Sequence, residues 1–495
     1  MGQMRFLVPR PERISEALLQ RAYLAGMDCI PWLSETHWDG SELIVVREIR
    51  ESGNLYVPWP VVGQGELILC TASLMERKQP YHLPVELARG TLNRLRNQAA
   101  AWQMVGMDLS PDYRAKLRQS QLFFARAANE QAEPLAAADD AERALQVALE
   151  AINILSGDYV RQVLTMRHQQ TPQLPTLLAG NVESEPLTGQ FAKRFRDAFN
   201  SAAVPLNWRD MEREQGQLAW DASDQQMAWC CEQGLRIIAG PLMRLDSAGI
   251  PDWLYLWEGD IDMLRSFFTR RAEDLVQRYL GKVNVWHVAA RMNVMDTLKL
   301  SEEQRLRLTV DVIDAVRRHD PKTPMIVSFD QPWAEFLARE DLELSPLHFA
   351  DTLVRADLGV GGLGLEINLG YWPGGTLPRD LLEFGRQIDQ WSILGLPLVI
   401  FLTAPSDAGP DPLALLAAKP IAAAADEGLS RESQRELVEH LVPLLLAKQA
   451  VQGIVWNQLR DDQPHNFPHG GLFDTRQKRK PAIKVLTAIR KAHLV

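Results

Sequence analysis

The sequence predicts an α/β protein, a closed (β/α)8 TIM barrel preceded by a small β-rich module and a helical segment, and three observations carry that expectation. From residue 174 onward, eight short apolar runs alternate with amphipathic stretches, the pattern of parallel strands covered by helices. Eight regular units in roughly 320 residues suit a closed barrel better than an open doubly wound sheet. No Gly-rich phosphate loop follows any of the runs, so nothing favours a dinucleotide-binding sheet. The chain has 495 residues, more than a barrel needs, which leaves room for separate N-terminal structure.

Residues 1–82 carry β-type runs at 4–8, 42–47, 55–59 and 66–73, broken by Pro and Gly, and read as a β-rich module. Residues 83–173 read as a helical segment, with helical periodicity over 84–103, 111–127 and 140–166; the last shows Leu145, Val147, Leu149, Ile152 and Leu155 as apolar positions. The Ala-rich, acidic stretch 129–142 reads as a surface connection between two of these helices. The barrel takes 174–495, with strands at 176–180, 202–206, 235–240, 283–290, 324–329, 361–368, 396–403 and 453–456. Helices are expected between them at 221–234, 260–280, 301–318, 378–394 and 430–448, and Ser301 with Gln304 three residues later forms a capping box. Chemistry in such a barrel sits at the C-terminal ends of the strands.

The formal net charge of -10 and the lack of a concentrated basic face argue against nucleic acid as a partner. Cys29, Cys70, Cys230 and Cys231 lack metal-type spacing and read as buried thiols in a reducing compartment. Met1 to Phe6 begin no apolar leader, and no run approaches the roughly 20 apolar residues of a membrane span, so a cytoplasmic protein without membrane contact is expected. No cofactor is called for. His465 and His469 stand at an i, i+4 spacing, but Pro464 and Pro468 make a helix there improbable, so they read as surface loop histidines and not as metal ligands.

Several strand ends carry motifs in a recognisable order. Trp208-Arg-Asp-Met-Glu-Arg-Glu-Gln-Gly-Gln217 follows the second strand, and Trp220-Asp221 leads through a helix to Gly234-Leu-Arg-Ile-Ile-Ala-Gly240. Then come Ile250-Pro-Asp-Trp253, Val285-Trp-His-Val288, Gly362-Leu-Gly-Leu365, Gly453-Ile-Val-Trp456, and the closing Leu472-Phe-Asp474 with Lys480-Pro-Ala482. In content and spacing this series resembles glycoside hydrolase family 10, the xylanase family, across the whole barrel. The resemblance implies a barrel whose mouth holds a glycan, with two catalytic glutamates ending strands four and seven. A retaining glycosidase needs two such carboxyl groups about 5 to 5.5 Å apart, one to attack and one to protonate the leaving oxygen.

Both glutamates are missing. The acid/base position aligns with Arg291, preceded by Ala290, and the nucleophile position aligns with Leu402. A guanidinium stays charged near neutral pH and a leucine has no nucleophile, so the family's mechanism is unavailable. The family's sugar-binding shell is changed too: its positions fall on Ala203, Val204 and Asn207, on Pro241 and Leu245, and on Glu366 and Asn368. Carboxylates still gather at strand ends, as Asp330, Glu366, Asp210 with Glu212, and Asp461 with Asp462. Glu366 and Asp330, with Arg291, are the fallback catalytic candidates; the simpler reading is that Arg291 and Glu366 neutralise each other. Asn368, Trp372, Tyr371, Trp456 and Trp333 are the candidate substrate-binding residues, because aromatic faces cover the apolar side of a pyranose.

Three functions are in view: a catalytically inactive xylanase-like barrel binding a carbohydrate or a protein partner at its mouth; an active hydrolase with a relocated site at Glu366 and Asp330; and a structural or assembly protein, a homo-oligomer included, using the N-terminal helices. The β-rich module invites comparison with a carbohydrate-binding module, although Trp32, Trp38, Tyr56 and Trp59 are better used packing under the helical segment.

Overall fold

Eight strands pair in parallel, each with the next in sequence, and the last returns to the first. They are β1 (Leu177–Asn181), β2 (Ser201–Val204), β3 (Arg236–Ala239), β4 (Val285–Ala290), β5 (Met325–Asp330), β6 (Gly362–Asn368), β7 (Leu398–Thr403) and β8 (Val451–Trp456). The ladder runs unbroken from β1 round to β8 and closes through Gly453 to Trp456 on Leu177 to Gly180. The computed structural model describes residues 2–183, 187–294, 297–421 and 428–495. Each strand leads into a covering helix: Gly189–Ala198, Asp221–Glu232, Ile261–Tyr279, Glu302–His319, Pro346–Arg355, Leu381–Ser392, Arg431–Ala447 and Pro481–His493 in turn. The capping box at Ser301 is formed, with its hydroxyl taking the Gln304 amide and the Gln304 side chain returning to the Ser301 amide.

Two apolar layers hold the barrel. Ala179, Ile238, Ile326, Val399, Phe401 and Val455 fill its interior, while Leu363, Leu365, Leu398, Ile400 and Ile454 face the helices. Gly364 has no side chain because a Cβ there would stand 2.6 Å from the Ser328 Cβ and 2.9 Å from the Phe401 ring.

The N-terminal residues form two four-stranded sheets. One orders Ser34–Trp38, Glu42–Arg47, Gly2–Leu7 and Tyr81–His82; the other orders Pro31–Trp32, Tyr23–Ala25, Asn54–Val61 and Gly65–Cys70. Helices Leu83–Met104, Pro111–Asn129 and Pro134–Gln170 pack on them in one apolar core that includes Phe6, Val45, Trp59, Leu87, Leu145 and Ile152. The stretch expected to be a surface connection, 129–142, is mostly helix. Pro134 sits where its missing N–H costs nothing, and Ala137, Ala138 and Ala141 are buried, small enough for close helix packing. The thiols are not all buried either: Cys231 is exposed and Cys29 partly so, since adjacent helical residues face different ways. Among the described residues no helix is long and apolar enough to cross a membrane.

The second N-terminal sheet sits against the loops after β5 and β6. Arg379 donates to Glu335 at 2.7 Å and to the Tyr23 hydroxyl at 2.7 Å, with both charged side chains 1% exposed. Arg339 donates to the carbonyls of Ser34, Leu19 and Ala22 at 2.7 to 2.9 Å, and the Ile68 amide donates to the Pro378 carbonyl at 2.7 Å.

Gly364→Ala lowers the unfolding free energy by about 1 to 3 kcal/mol, as expected for an added methyl in a filled interior. Urea unfolding followed by tryptophan fluorescence checks this, and an unchanged midpoint means the layer has slack.

Candidate functional site

Alternate residues of a barrel strand face inward, so strand parity decides what the mouth presents. Glu366 and Asn368 of β6 face in, as do Phe401 and Thr403 of β7, and the in-register pairs Asp330 with Glu366 and Asn368 with Thr403 stand side by side. This corrects the register expected at β7. Leu402 lies with Leu398 and Ile400 in the layer facing the helices, and the inward positions are Phe401 and Thr403. Neither is a carboxylate, so this strand end offers no nucleophilic acid in either register.

Arg291 follows β4 directly, in the left-handed region at φ 62°, and its backbone N–H donates to the Ser328 carbonyl at 3.1 Å. Its guanidinium turns into the mouth. Nε donates to Glu366 Oε2 at 2.7 Å and stands 3.9 Å from Asp330 Oδ2, while Nη1 donates to Asp246 Oδ2 at 3.4 Å. Asp246 also accepts from Arg244 Nε at 2.5 Å. The second oxygen of Glu366 accepts from the Ser328 hydroxyl at 2.7 Å, which leaves the hydroxyl oxygen to accept from His287 Nε2 at 2.8 Å.

Burial alone would raise the pKa of both carboxyls, and their surroundings split them. Asp330 is pushed up by burial and by the neighbouring Glu366 charge, more than Arg291 pulls it back. Glu366 overcomes its burial through Arg291 and the Ser328 hydroxyl and is held below the usual carboxylate range. Asp246, half-buried, is likewise held low, by Arg244 and Arg291. Burial pushes His287 down to about 4, so it is neutral at physiological pH.

A cavity of about 1020 Å³ opens at the mouth. Arg244, Arg291, His287, Glu366, Asn368 and Thr403 supply its polar floor, and Trp208, Phe401 and Phe467 its aromatic surface. Among the lining residues, Arg244 Nη2, Asn368 Oδ1 and Thr403 Oγ1 are buried without a hydrogen-bond partner, a mixture of donors and acceptors. Asp330 is not part of the lining: its Oδ1 accepts from the Gln331 amide at 3.0 Å and from Asn368 Nδ2 at 3.3 Å. Of this pair, the carboxyl whose pKa is raised, Asp330, is therefore hidden, and Glu366, which reaches the cavity, is ionised with both oxygens engaged.

The aromatic candidates lie elsewhere. Tyr371 is fully buried with its hydroxyl on the Pro468 carbonyl at 2.8 Å, and Trp456 shares the outward parity of Leu402, its Nε1 on the Gly470 carbonyl at 3.1 Å. Trp333 packs edge-on against Phe384, and Trp372 is half-buried beside the cluster of Tyr23, Tyr56 and Ile68 from the N-terminal sheets. Of the five predicted substrate-binding residues, only Asn368 lines the cavity. His465 and His469 are not surface histidines: His465 Nε2 donates to Asp411 Oδ2 at 2.9 Å, and the His469 amide does so at 2.9 Å, tying the loop after β8 to the loop after β7. Asp461 is buried on Lys480 at 2.5 Å and on the Gly471 amide, and Glu212 is spent on Trp208 Nε1 at 2.7 Å. Among the described residues no cluster of three or more His, Cys, Asp or Glu is arranged to hold a metal ion. Sequence reasoning missed Arg244, Asp246, His287, Ser328 and Thr403; counting two residues at a time along β5 to β7 from Glu366 would have found Ser328 and Thr403.

No family model and no curated protein matches this chain. Solved structures that resemble it include xylanases. The native xylanase 10B of Thermotoga maritima is 14% identical over 66% of this chain and 97% of its own, with a TM-score of 0.49. The xylanase 10B of Thermotoga petrophila RKU-1, in complex with xylobiose, is 15% identical over 66% and 95%, with a TM-score of 0.48. A GH10 structure from Paenibacillus barcinonensis is 12% identical over 68% and 98%, with a TM-score of 0.48. Likeness at this level leaves activity to the site residues.

Arg291→Met leaves Glu366 buried, and Asp246 half-buried, beside a missing cation and destabilises the fold by about 3 kcal/mol or more. Adding Glu366→Gln recovers part of that loss; if thermal unfolding shows the double variant no better than the single one, the ion pair is not the organising contact. His287 gives a pH signature. A histidine depressed in the fold contributes stability present above pH 6.5 and lost as pH falls through about 4, here roughly 3 kcal/mol. His287→Gln therefore shows a shallower loss than the wild type between pH 6.5 and 4 in denaturant titrations.

Proposed function

We propose that the barrel mouth binds a carbohydrate without hydrolysing it. The observation that carries this reading is Arg291, which the family resemblance aligns with the acid/base glutamate and whose guanidinium turns into the mouth and grips Glu366 at 2.7 Å. Cleavage with retention needs one carboxyl to attack and another to deliver a proton, both flanking the scissile bond. Here a permanent cation fills that space, and Asp330, the member of the Glu366–Asp330 pair whose pKa is raised, does not reach the cavity. The binding half of the reading is supported by the cavity itself: unpaired donors and acceptors at the lining residues Arg244, Asn368 and Thr403 suit a ligand whose hydroxyls both donate and accept. Trp208, Phe401 and Phe467 supply apolar surface of the kind a pyranose covers.

A second reading, hydrolysis through Glu366 and Asp330, has one observation in its favour: two neighbouring carboxyls whose surroundings push their acidities apart, as in an acid/base pair.

Purified protein is expected to release no reducing sugar from xylan or xylo-oligosaccharides over a day, while calorimetry detects binding of xylo-oligosaccharides. Asn368→Ala is expected to weaken that binding about tenfold. Sugar release that Glu366→Gln abolishes would establish the second reading instead.

A further inference from the structure

We infer that the mouth is a dead-end pocket that takes the end of a short saccharide and not an internal segment of a polymer, because the N-terminal sheets wall off one side of it. This rests on the carbohydrate reading above.

A polymer lying across a barrel mouth must leave it on two sides. The β5–β6 side is closed. No residue of 331–345 or 369–380, the loops after β5 and β6, lines the cavity. Trp333 to Ala338 are all buried, and what covers them is N-terminal chain: the Pro31–Trp32 and Tyr23–Ala25 strands pack on the turn Glu335–Ala338. The cover is fastened by groups that tolerate no gap. Arg379 and Glu335 are each 1% exposed and paired, Arg379 also donates to the Tyr23 hydroxyl, and Arg339 is spent on three N-terminal carbonyls. Withdrawing the sheet by a ligand's width would leave a buried ion pair and those carbonyls without partners, which costs several kcal/mol. Trp372, which the sequence offers as a sugar platform, meets Tyr23, Tyr56 and Ile68 instead.

The β7–β8 side is strapped. The Leu415 amide donates to the His465 carbonyl at 2.8 Å and the Leu416 amide to the Asn466 carbonyl at 3.1 Å, with Asp411 gripping His465 beneath them. Leu416, His465 and Phe467 of this pair of loops line the cavity. Among the described residues, most exposed lining residues lie on the remaining side, Asp210, Arg213, Ala219, Asp221 and Ala222 after β2 and Ser247 after β3, against Leu415 and Pro464 on the strapped side. Access therefore runs over the loops after β2 and β3, and a chain that comes in there stops at the wall behind Asn368 and Thr403. The volume, about 1020 Å³, is at the upper end for a drug-sized ligand, room for a few sugar rings.

The test is a length series on the intact protein, titrating xylose, xylobiose, xylotriose, xylotetraose and xylohexaose by calorimetry and running affinity electrophoresis through soluble xylan. Affinity that levels off by xylotetraose, with the protein hardly retarded by the polymer, supports the pocket. Affinity that rises more than threefold between xylotetraose and xylohexaose, or strong retardation by xylan, overturns the pocket and leaves the carbohydrate reading standing. Silence with every sugar removes the carbohydrate reading and this inference with it. Hydrogen exchange gives a check that needs no ligand: the amides of 331–338 exchange slowly if the wall is permanent, and fast exchange there refutes it.

Discussion

One guanidinium organises the mouth of this barrel. Arg291 touches Glu366, Asp246 and the vicinity of Asp330, and its positive charge persists at any pH a protein survives. Three carboxyls on one cation explain why Glu366 stays ionised though buried and Asp246 with it, and why Asp330, the least well served, does not ionise as easily. From Glu366 the order passes to the Ser328 hydroxyl and then to a neutral His287, which stacks on Phe401 at 5.0 Å between ring centres. Buried pairs of this kind add little net stability, yet losing one member is expensive, so they fix an arrangement more than they strengthen it.

Much of the architecture was legible in the sequence, for a simple reason. All eight barrel strands fall within a few residues of the apolar runs that announced them, because runs of four to eight apolar residues between amphipathic stretches leave few alternatives. Parity inside the strands was not legible. Every residue of Leu398–Thr403 is buried, one face by the barrel interior and the other by helices, so no polar alternation marks which side Leu402 takes. Trp456 suffered the same ambiguity. The segment 129–142 misled through composition, since alanine-rich acidic sequence looks like solvent-facing linker until its alanines are seen meeting another helix.

The remaining misses were tertiary. Nothing near Trp333 or Trp372 says that chain from the first 70 residues will lie over them, and nothing near Arg244 says that Asp246 will hold it toward Arg291. His465 and His469 were read correctly as non-helical, but their common partner Asp411 lies more than fifty residues earlier, beyond any local pattern. Candidate ligand contacts were thus legible only where they sat on the strands themselves, as with Glu366 and Asn368.

The contacts made by Arg339 have a consequence for how the chain is born. Its bonds to Ser34, Leu19 and Ala22 span 305 to 320 positions, so the first sheets leave the ribosome long before the loop that covers them exists. At cellular translation speeds that interval is roughly 15 to 60 s. For that time the face bearing Tyr23, Tyr56 and Ile68 has only water or a chaperone against it. The nascent protein must carry a sticky, half-finished surface through most of its own synthesis, and completing the sixth barrel unit is what finally relieves it.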